Sequence, residues 1–181
     1  MNCNGLLSMP EQMHTLLTSL QVLNVSSCPK IVSFPNGGLP TNLQSLLIQN
    51  CDLLTLQHEW GLNNMASLTC LRITGGCRNL ISFPQEGLLP ASLNSLEISE
   101  FPELESLNLS GFQFLNSLET LEINSCVKLK SMSEGSLPSS ISSLSITGCS
   151  LMTARCQKDQ GKDWPKVSHI KKIVIDDIEM Q

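Results

Sequence analysis

The sequence predicts an α/β-type solenoid, a right-handed superhelix bent into a horseshoe, with a parallel concave sheet and a mostly irregular convex side. Three observations predict it. A spaced aliphatic motif recurs along nearly the whole chain at an almost constant interval. Each recurrence carries the period-two alternation of a single strand. The interior must be built almost wholly from Leu and Ile, because aromatics make up only 4% of the 181 residues and Tyr is absent. That composition suits a regular, layered stack.

The motif is L-x-x-L-x-[VI]-x-x-C. It appears as Leu20, Leu23, Val25 and Cys28, then as Leu43, Leu46, Ile48 and Cys51. Leu68, Leu71 and Ile73 follow, with Cys77 one residue late after Gly75 and Gly76. Next come Leu93, Leu96, Ile98 and Phe101, then Leu118, Leu121, Ile123 and Cys126, then Ile141, Leu144, Ile146 and Cys149. A weaker copy is Ile170, Ile173 and Ile175. The intervals between first positions are 23, 25, 25, 25, 23 and 29 residues, the range of a leucine-rich repeat. In each L-x-L the aliphatics point inward and the residue between them points out. One repeat cannot bury its own face, whereas stacked repeats share a continuous core. Residues 20–154 thus read as about six leucine-rich repeats.

The flanks follow from the same pattern. Cys3, Leu6, Met9 and Pro10 repeat the spacing found downstream of a motif cysteine, so residues 1–19 read as a partial repeat. Such an opening leaves one end of the core uncapped and predicts poor solubility of the isolated chain. After Cys28 and Cys77 comes an apolar x-x-L-x-x-F-P segment, seen at Ile31, Phe34 and Pro35 and at Leu80, Phe83 and Pro84, with Leu129 and Met132 after Cys126 as a copy lacking Pro. Turn chemistry precedes the next strand at 37–40, 87–90 and 135–138. Proline opposes long helices there. Irregular or 3₁₀ convex segments are expected, with at most a short helix near residues 63–68. Residues 155–181 read as a C-terminal cap with a last strand.

The motif cysteines Cys28, Cys51, Cys77, Cys126 and Cys149 stand where other leucine-rich repeats place Asn. A buried thiol there packs as a small hydrophobe and donates weakly to a nearby carbonyl. Disulfides and a metal site are the competing readings; no C-x-x-C occurs. The net charge of −5 and the mixing of Lys and Arg with Asp and Glu near the end leave no basic stripe for nucleic acid. No apolar run reaches membrane-span length, and the first ten residues lack the pattern of a signal peptide. A cytoplasmic protein is expected. His14, His58 and His169 are far apart, and no phosphate loop or nucleophile motif occurs. No enzymatic activity, cofactor or metal is expected.

The repeats, together with the tail from Arg155 and Cys156 through Gly161, Asp163, Trp164, Pro165 and Lys166 to His169 and Ile170, resemble one family. It is that of plant coiled-coil-type nucleotide-binding leucine-rich-repeat (NB-ARC-LRR, NLR) disease-resistance proteins, whose C-terminal region ends in R-C-x-x-x-x-G-x-D-W-P-K-[IV]-x-H-I. Phe101 departs from the repeat pattern, and Lys171 stands where the family often has Pro. The resemblance implies a module that senses a pathogen effector or a host guardee and restrains the NB-ARC switch, which this sequence lacks. An extracellular receptor ectodomain is an alternative, with formal glycosylation acceptors at Asn24 and Asn108. A ubiquitin-ligase adaptor is another.

Alternation selects the outward residues. The concave, protein-binding positions are Asn24, Leu47, Arg72, Glu97, Glu122 and Ser145, with Val174 last, and Glu100 and Glu119 beside them. Seven strands spaced about 4.8 Å apart give a face roughly 30 Å long, a match for a protein partner. Glu97, Glu100, Glu103, Glu105, Glu119 and Glu122 lie in a stretch free of Lys and Arg. They read either as a patch for a basic partner or as an ordinary solvated face. Trp60 reads as locally packed, and Trp164 as part of the terminal seal.

Overall fold

The computed structural model of the protein describes residues 5–35 and 37–180. Cys3, the first residue of the partial repeat, lies outside them. The chain order is α1 (Met13–Leu16), β1 (Val22–Ser26), β2 (Ser45–Gln49), β3 (Cys70–Thr74), β4 (Ser82–Phe83), β5 (Ser95–Ser99), β6 (Ser106–Leu107), β7 (Thr120–Asn124), β8 (Ser131–Met132), β9 (Ser143–Thr147), α2 (Ser150–Thr153), α3 (Trp164–Val167), β10 (Lys172–Ile175) and β11 (Ile178–Glu179).

The long sheet runs β1-β2-β3-β5-β7-β9-β10-β11, parallel throughout except for the last pair. Its register is that of the motif. Leu23, Leu46, Leu71, Leu96, Leu121, Leu144 and Ile173 form one row, and Val25, Ile48, Ile73, Ile98, Ile123, Ile146 and Ile175 another. From Leu46 onward the first row is fully buried. The leading aliphatic of each motif (Leu43, Leu68, Leu93, Leu118, Ile141 and Ile170) turns back into the same core, while Leu20 at the first repeat is half-buried. The residue after each parallel strand of the long sheet takes a left-handed turn, and those of the first five send their N–H to the carbonyl ending the next strand, as Asn50 does to Thr74 at 2.8 Å. Gly75 and Gly148 fill this position at no steric cost, whereas Glu100 holds φ 59 there with a side chain.

Two features, a second sheet and a closing hairpin, depart from the sequence expectation. The return side holds a second parallel sheet, β4-β6-β8. Phe83, Leu107 and Met132 anchor it in the core, and the returning backbone groups, which need partners once buried, find them one repeat away. Near residues 63–68 the expectation of 3₁₀ structure with at most a short helix is met: a 3₁₀ turn, Leu62–Asn64, ends where Met65 leaves the helical region. Finally, the sheet closes with an antiparallel hairpin. Asp176 and Asp177 both have positive φ, the pattern of a two-residue type I′ turn. Asp176 also caps the ladder: Oδ1 accepts from Gly148 N–H at 2.8 Å, and Oδ2 accepts from the Thr153 hydroxyl at 2.8 Å. No helix among the described residues is long and apolar enough to cross a membrane.

The motif thiols act as the repeat chemistry requires. Cys28, Cys51, Cys77, Cys126 and Cys149 are buried and free. Cys51 donates to the carbonyls of Gln49 (3.4 Å) and Val25 (3.6 Å), and Cys149 repeats this on Thr147 (3.5 Å) and Ile123 (3.8 Å). Each thiol thereby ties its own turn to the preceding strand. Cys77, displaced by the extra glycine, donates to Leu54 instead, at 3.8 Å. Burial pushes its thiol up to about 11 and that of Cys156 up to about 12, so both stay protonated and unreactive near neutral pH. Phe101 fills the cysteine position and meets Phe83 edge-on, with ring centroids 6.1 Å apart.

Candidate functional site

The central outward residues stand in one row on adjacent strands: Asn24, Leu47, Arg72, Glu97, Glu122, Ser145 and Val174. Asn24 and Arg72 are exposed, while Leu47, Glu97, Glu122 and Ser145 are half-buried by their neighbours on the row. Glu100 and Glu119, at the two ends of the strands, are exposed.

The middle of the row is held by a chain of polar contacts. Arg72 Nε pairs with Glu97 across the β3–β5 step. The Ser99 hydroxyl donates to Glu97 Oε1 at 3.3 Å, and Asn124 Nδ2 donates to the Ser99 hydroxyl at 3.3 Å. Ser99 is itself buried. The Glu97 carboxylate is therefore fixed in position, with only 18% of its side chain exposed. Leu47, one strand beyond Arg72, joins Asn24, Gln49, Arg72 and Thr74 in lining a shallow hollow of about 260 Å³.

The six carboxylates do not form a uniform negative surface, because three of them are paired with cations. Lys128 Nζ pairs with Glu103 at 2.7 Å, Lys130 Nζ with Glu105 at 2.6 Å, and Arg72 with Glu97. The hydrogen bond from Lys130 and its charge hold the Glu105 carboxyl below its usual range. Glu100, Glu119 and Glu122 have no such cation among the described residues. The neutralising cations lie about one repeat away in sequence. They are remote along the chain and adjacent in the stack, and stepping one repeat period forward from Glu103 and Glu105, or back from Glu97, would have found them. Glu122 does face Glu97 directly across β5 and β7, as the alternation predicts.

The tail motif assembles a buried charge cluster, not an exposed site. Asp163 is fully buried, with Arg155 Nε at 2.5 Å from Oδ2 and Lys166 Nζ at 2.9 Å from Oδ1. Burial pushes its carboxyl up, but the two cations outweigh this and hold it below its usual range. Lys166 also donates to the carbonyls of Met132 (2.9 Å) and Ser133 (2.8 Å), tying α3 to β8. Gly161 passes so close to the Arg155 carbonyl that a Cβ would lie 2.1 Å from its oxygen. Trp164 is buried in α3, and Trp60 is buried against Phe34 with ring centroids 4.7 Å apart. His58 and His169 each point a ring nitrogen at a backbone carbonyl, of Glu86 at 3.2 Å and Pro138 at 3.4 Å.

In-register strands, one aliphatic core and an open sheet with a free outer row define a leucine-rich-repeat solenoid. Over 152 residues, 84% of the chain, it is 42% identical to the Arabidopsis thaliana protein named "Putative disease resistance protein At3g14460". The similarity supports a place in the plant disease-resistance protein family. The chain spans about a tenth of that relative's length. No family model and no solved structure matches it.

Proposed function

We propose that this chain is a protein–protein interaction module of a plant innate immune receptor, acting in the cytoplasm without catalysis or cofactor of its own. Homology to a protein named for disease resistance supports the defence role. The tail and repeats resemble coiled-coil-type NLR receptors, and by that resemblance the module recognises a pathogen effector or host guardee and restrains the NB-ARC domain of a full-length receptor.

One observation carries the docking role: the outward row is a single face of variable polar, charged and apolar residues laid on strands whose inward residues are almost all Leu and Ile. The stack fixes the spacing of that face at about 4.8 Å per residue, and the outward side chains are free to differ without touching the core. Within the face, the Arg72–Glu97 pair is self-satisfied, so Glu119 and Glu122 are assigned to contact a partner's cations.

The test is affinity capture from leaf extract, with bound proteins compared by mass spectrometry between wild type and the variant Glu119→Lys with Glu122→Lys. At least one protein held by wild type is expected to be lost by at least tenfold, with the melting temperature unchanged, because Glu119 is exposed and Glu122 stands on the outward row away from the core. Identical bound sets would reject the assignment.

A further inference from the structure

The outward row changes character along its length. From β5 onward it is acidic and hydroxylic, with Glu97, Glu122 and Ser145. From β1 to β3 it reads Asn24, Leu47 and Arg72, and here the face carries the hollow of about 260 Å³. Leu47, half-buried, is its apolar part. Asn24 and Gln49, both exposed, bring amides to it, Thr74 a hydroxyl and Arg72 a guanidinium. The facing residues at the start of these strands are the small Ser45, Cys70 and Ser95, so no large side chain walls the hollow off on that side.

Charge decides what fits there. Arg72 and Glu97 form an ion pair within the lining, so the hollow has no net charge. An anion would meet the Glu97 carboxylate and a cation the Arg72 guanidinium, and either would lose water beside Leu47. A neutral side chain with a large apolar body meets neither cost. The ion pair engages Arg72 through Nε, on the rim of a flat group whose faces remain available for stacking. Its carboxylate partner is held in place, while the Arg72 side chain is 52% exposed. A guanidinium presented in this way attracts the negative face of an aromatic ring, and being already ordered it loses little freedom on contact. This chain does not supply the ring. Tyr is absent, no Phe or Trp stands on the paired outward positions, and the ring pairs Phe34–Trp60 and Phe83–Phe101 are buried. Interfaces draw most of their energy from a few Trp, Tyr and Arg residues packed in pockets. Arg72 is the one on this side, so the ring comes from the other.

We propose that the hollow at Leu47 and Arg72 receives a tyrosine side chain of a protein partner, its ring over Leu47 and against the Arg72 guanidinium, its hydroxyl among the amides of Asn24 and Gln49. This rests on the reading of the outward row as a docking face and names the partner's anchor on it. Tyrosine is the aromatic whose polar tip both donates and accepts, which suits a rim of amides and a hydroxyl. Glu122 stands two strands beyond Arg72 and three beyond Leu47, about 10–14 Å away. The partner therefore carries a Lys or Arg at that distance from its tyrosine.

The probe is N-acetyltyrosinamide, titrated into the 181-residue chain carrying isotope-labelled leucine methyls and followed by NMR. The Leu47 signals, identified by their loss in Leu47→Ile, are expected to move upfield, as methyls under a ring face do. They are expected to saturate with a Kd on the order of 1–10 mM, the range of a lone side chain. N-acetylleucinamide is expected to bind about two- to fivefold more weakly, the margin of a cation–ring contact at an exposed site. Arg72→Gln, with the other methyl signals in place, is expected to erase that margin. The absence of a saturable shift up to about 20 mM, equal affinity of wild type for the two probes, or a margin that survives Arg72→Gln would each overturn the proposal. The probe involves no leaf protein, so the two failures are distinct. Absent tyrosine binding leaves the contacts of Glu119 and Glu122 standing, and an unchanged bound set with tyrosine binding intact rejects those contacts alone.

Discussion

Asp163→Ala is expected to destabilise the C-terminal end of the solenoid by about 3–5 kcal/mol, the cost of removing one partner from a buried ion pair. The magnitude follows from what remains. Arg155 and Lys166, 29% and 20% exposed, would keep their charges with no carboxylate between them. Asp163→Asn keeps the shape and removes the charge, so it separates electrostatics from packing and is expected to lose most of the same amount. Thermal unfolding monitored by Trp164 fluorescence checks this, because Trp164 adjoins the cluster in sequence and is buried with it. The pH dependence has a definite sign. Asp163 titrates below its ordinary value of 3.8 in the folded protein. Its contribution is therefore complete above that value and is lost as pH falls through the lower folded value. Wild type is expected to lose stability in that acid window, and Asp163→Asn to show a flatter profile there.

Phe101→Ala is expected to cost about 3–5 kcal/mol. Phe101 is fully buried at the centre of the stack and meets Phe83 of the second sheet edge-on. Its removal opens a cavity between the turn after β5 and the end of β4, so both sheets lose packing at once. At roughly 2–4 °C per kcal/mol for a chain of this size, the midpoint is expected to fall by about 6–20 °C. Phe101→Cys restores the residue type of the other repeats and is expected to cost less, because the thiol refills part of the space and can reach a carbonyl as Cys126 does. Phe114→Ala is the control; that ring is 62% exposed, and less than about 0.5 kcal/mol is expected. Equal losses for Phe101→Ala and Phe114→Ala would contradict the packing described.

What the sequence disclosed and what it hid have a common cause. The long sheet was legible because each L-x-L confines its aliphatics to one side, and a slip of one residue would expose Leu46 or Leu96 and bury Leu47 or Glu97. The same logic placed Asn24, Leu47, Arg72, Glu97, Glu122 and Ser145 on one row. The second sheet was hidden because Ser82–Phe83, Ser106–Leu107 and Ser131–Met132 are too short to show alternation, and their pairing is backbone to backbone. The closing hairpin was hidden because Asp176-Asp177 lacks the glycine that usually marks a type I′ turn. The neutralised acids Glu103 and Glu105 were hidden because charge was read along the chain, whereas Lys128 and Lys130 meet them across the stack.

The register of the outward row is tested most directly by cysteine cross-linking. Facing residues on neighbouring parallel strands lie about 4.8 Å apart, within the Cα range of a disulfide; residues two strands apart lie beyond it. Glu97→Cys with Glu122→Cys is predicted to form an intramolecular disulfide on mild oxidation, located by peptide mapping, while Glu97→Cys with Ser145→Cys stays reduced. The reverse pattern, or equal reactivity of the two pairs, would show that the strands do not lie side by side as described.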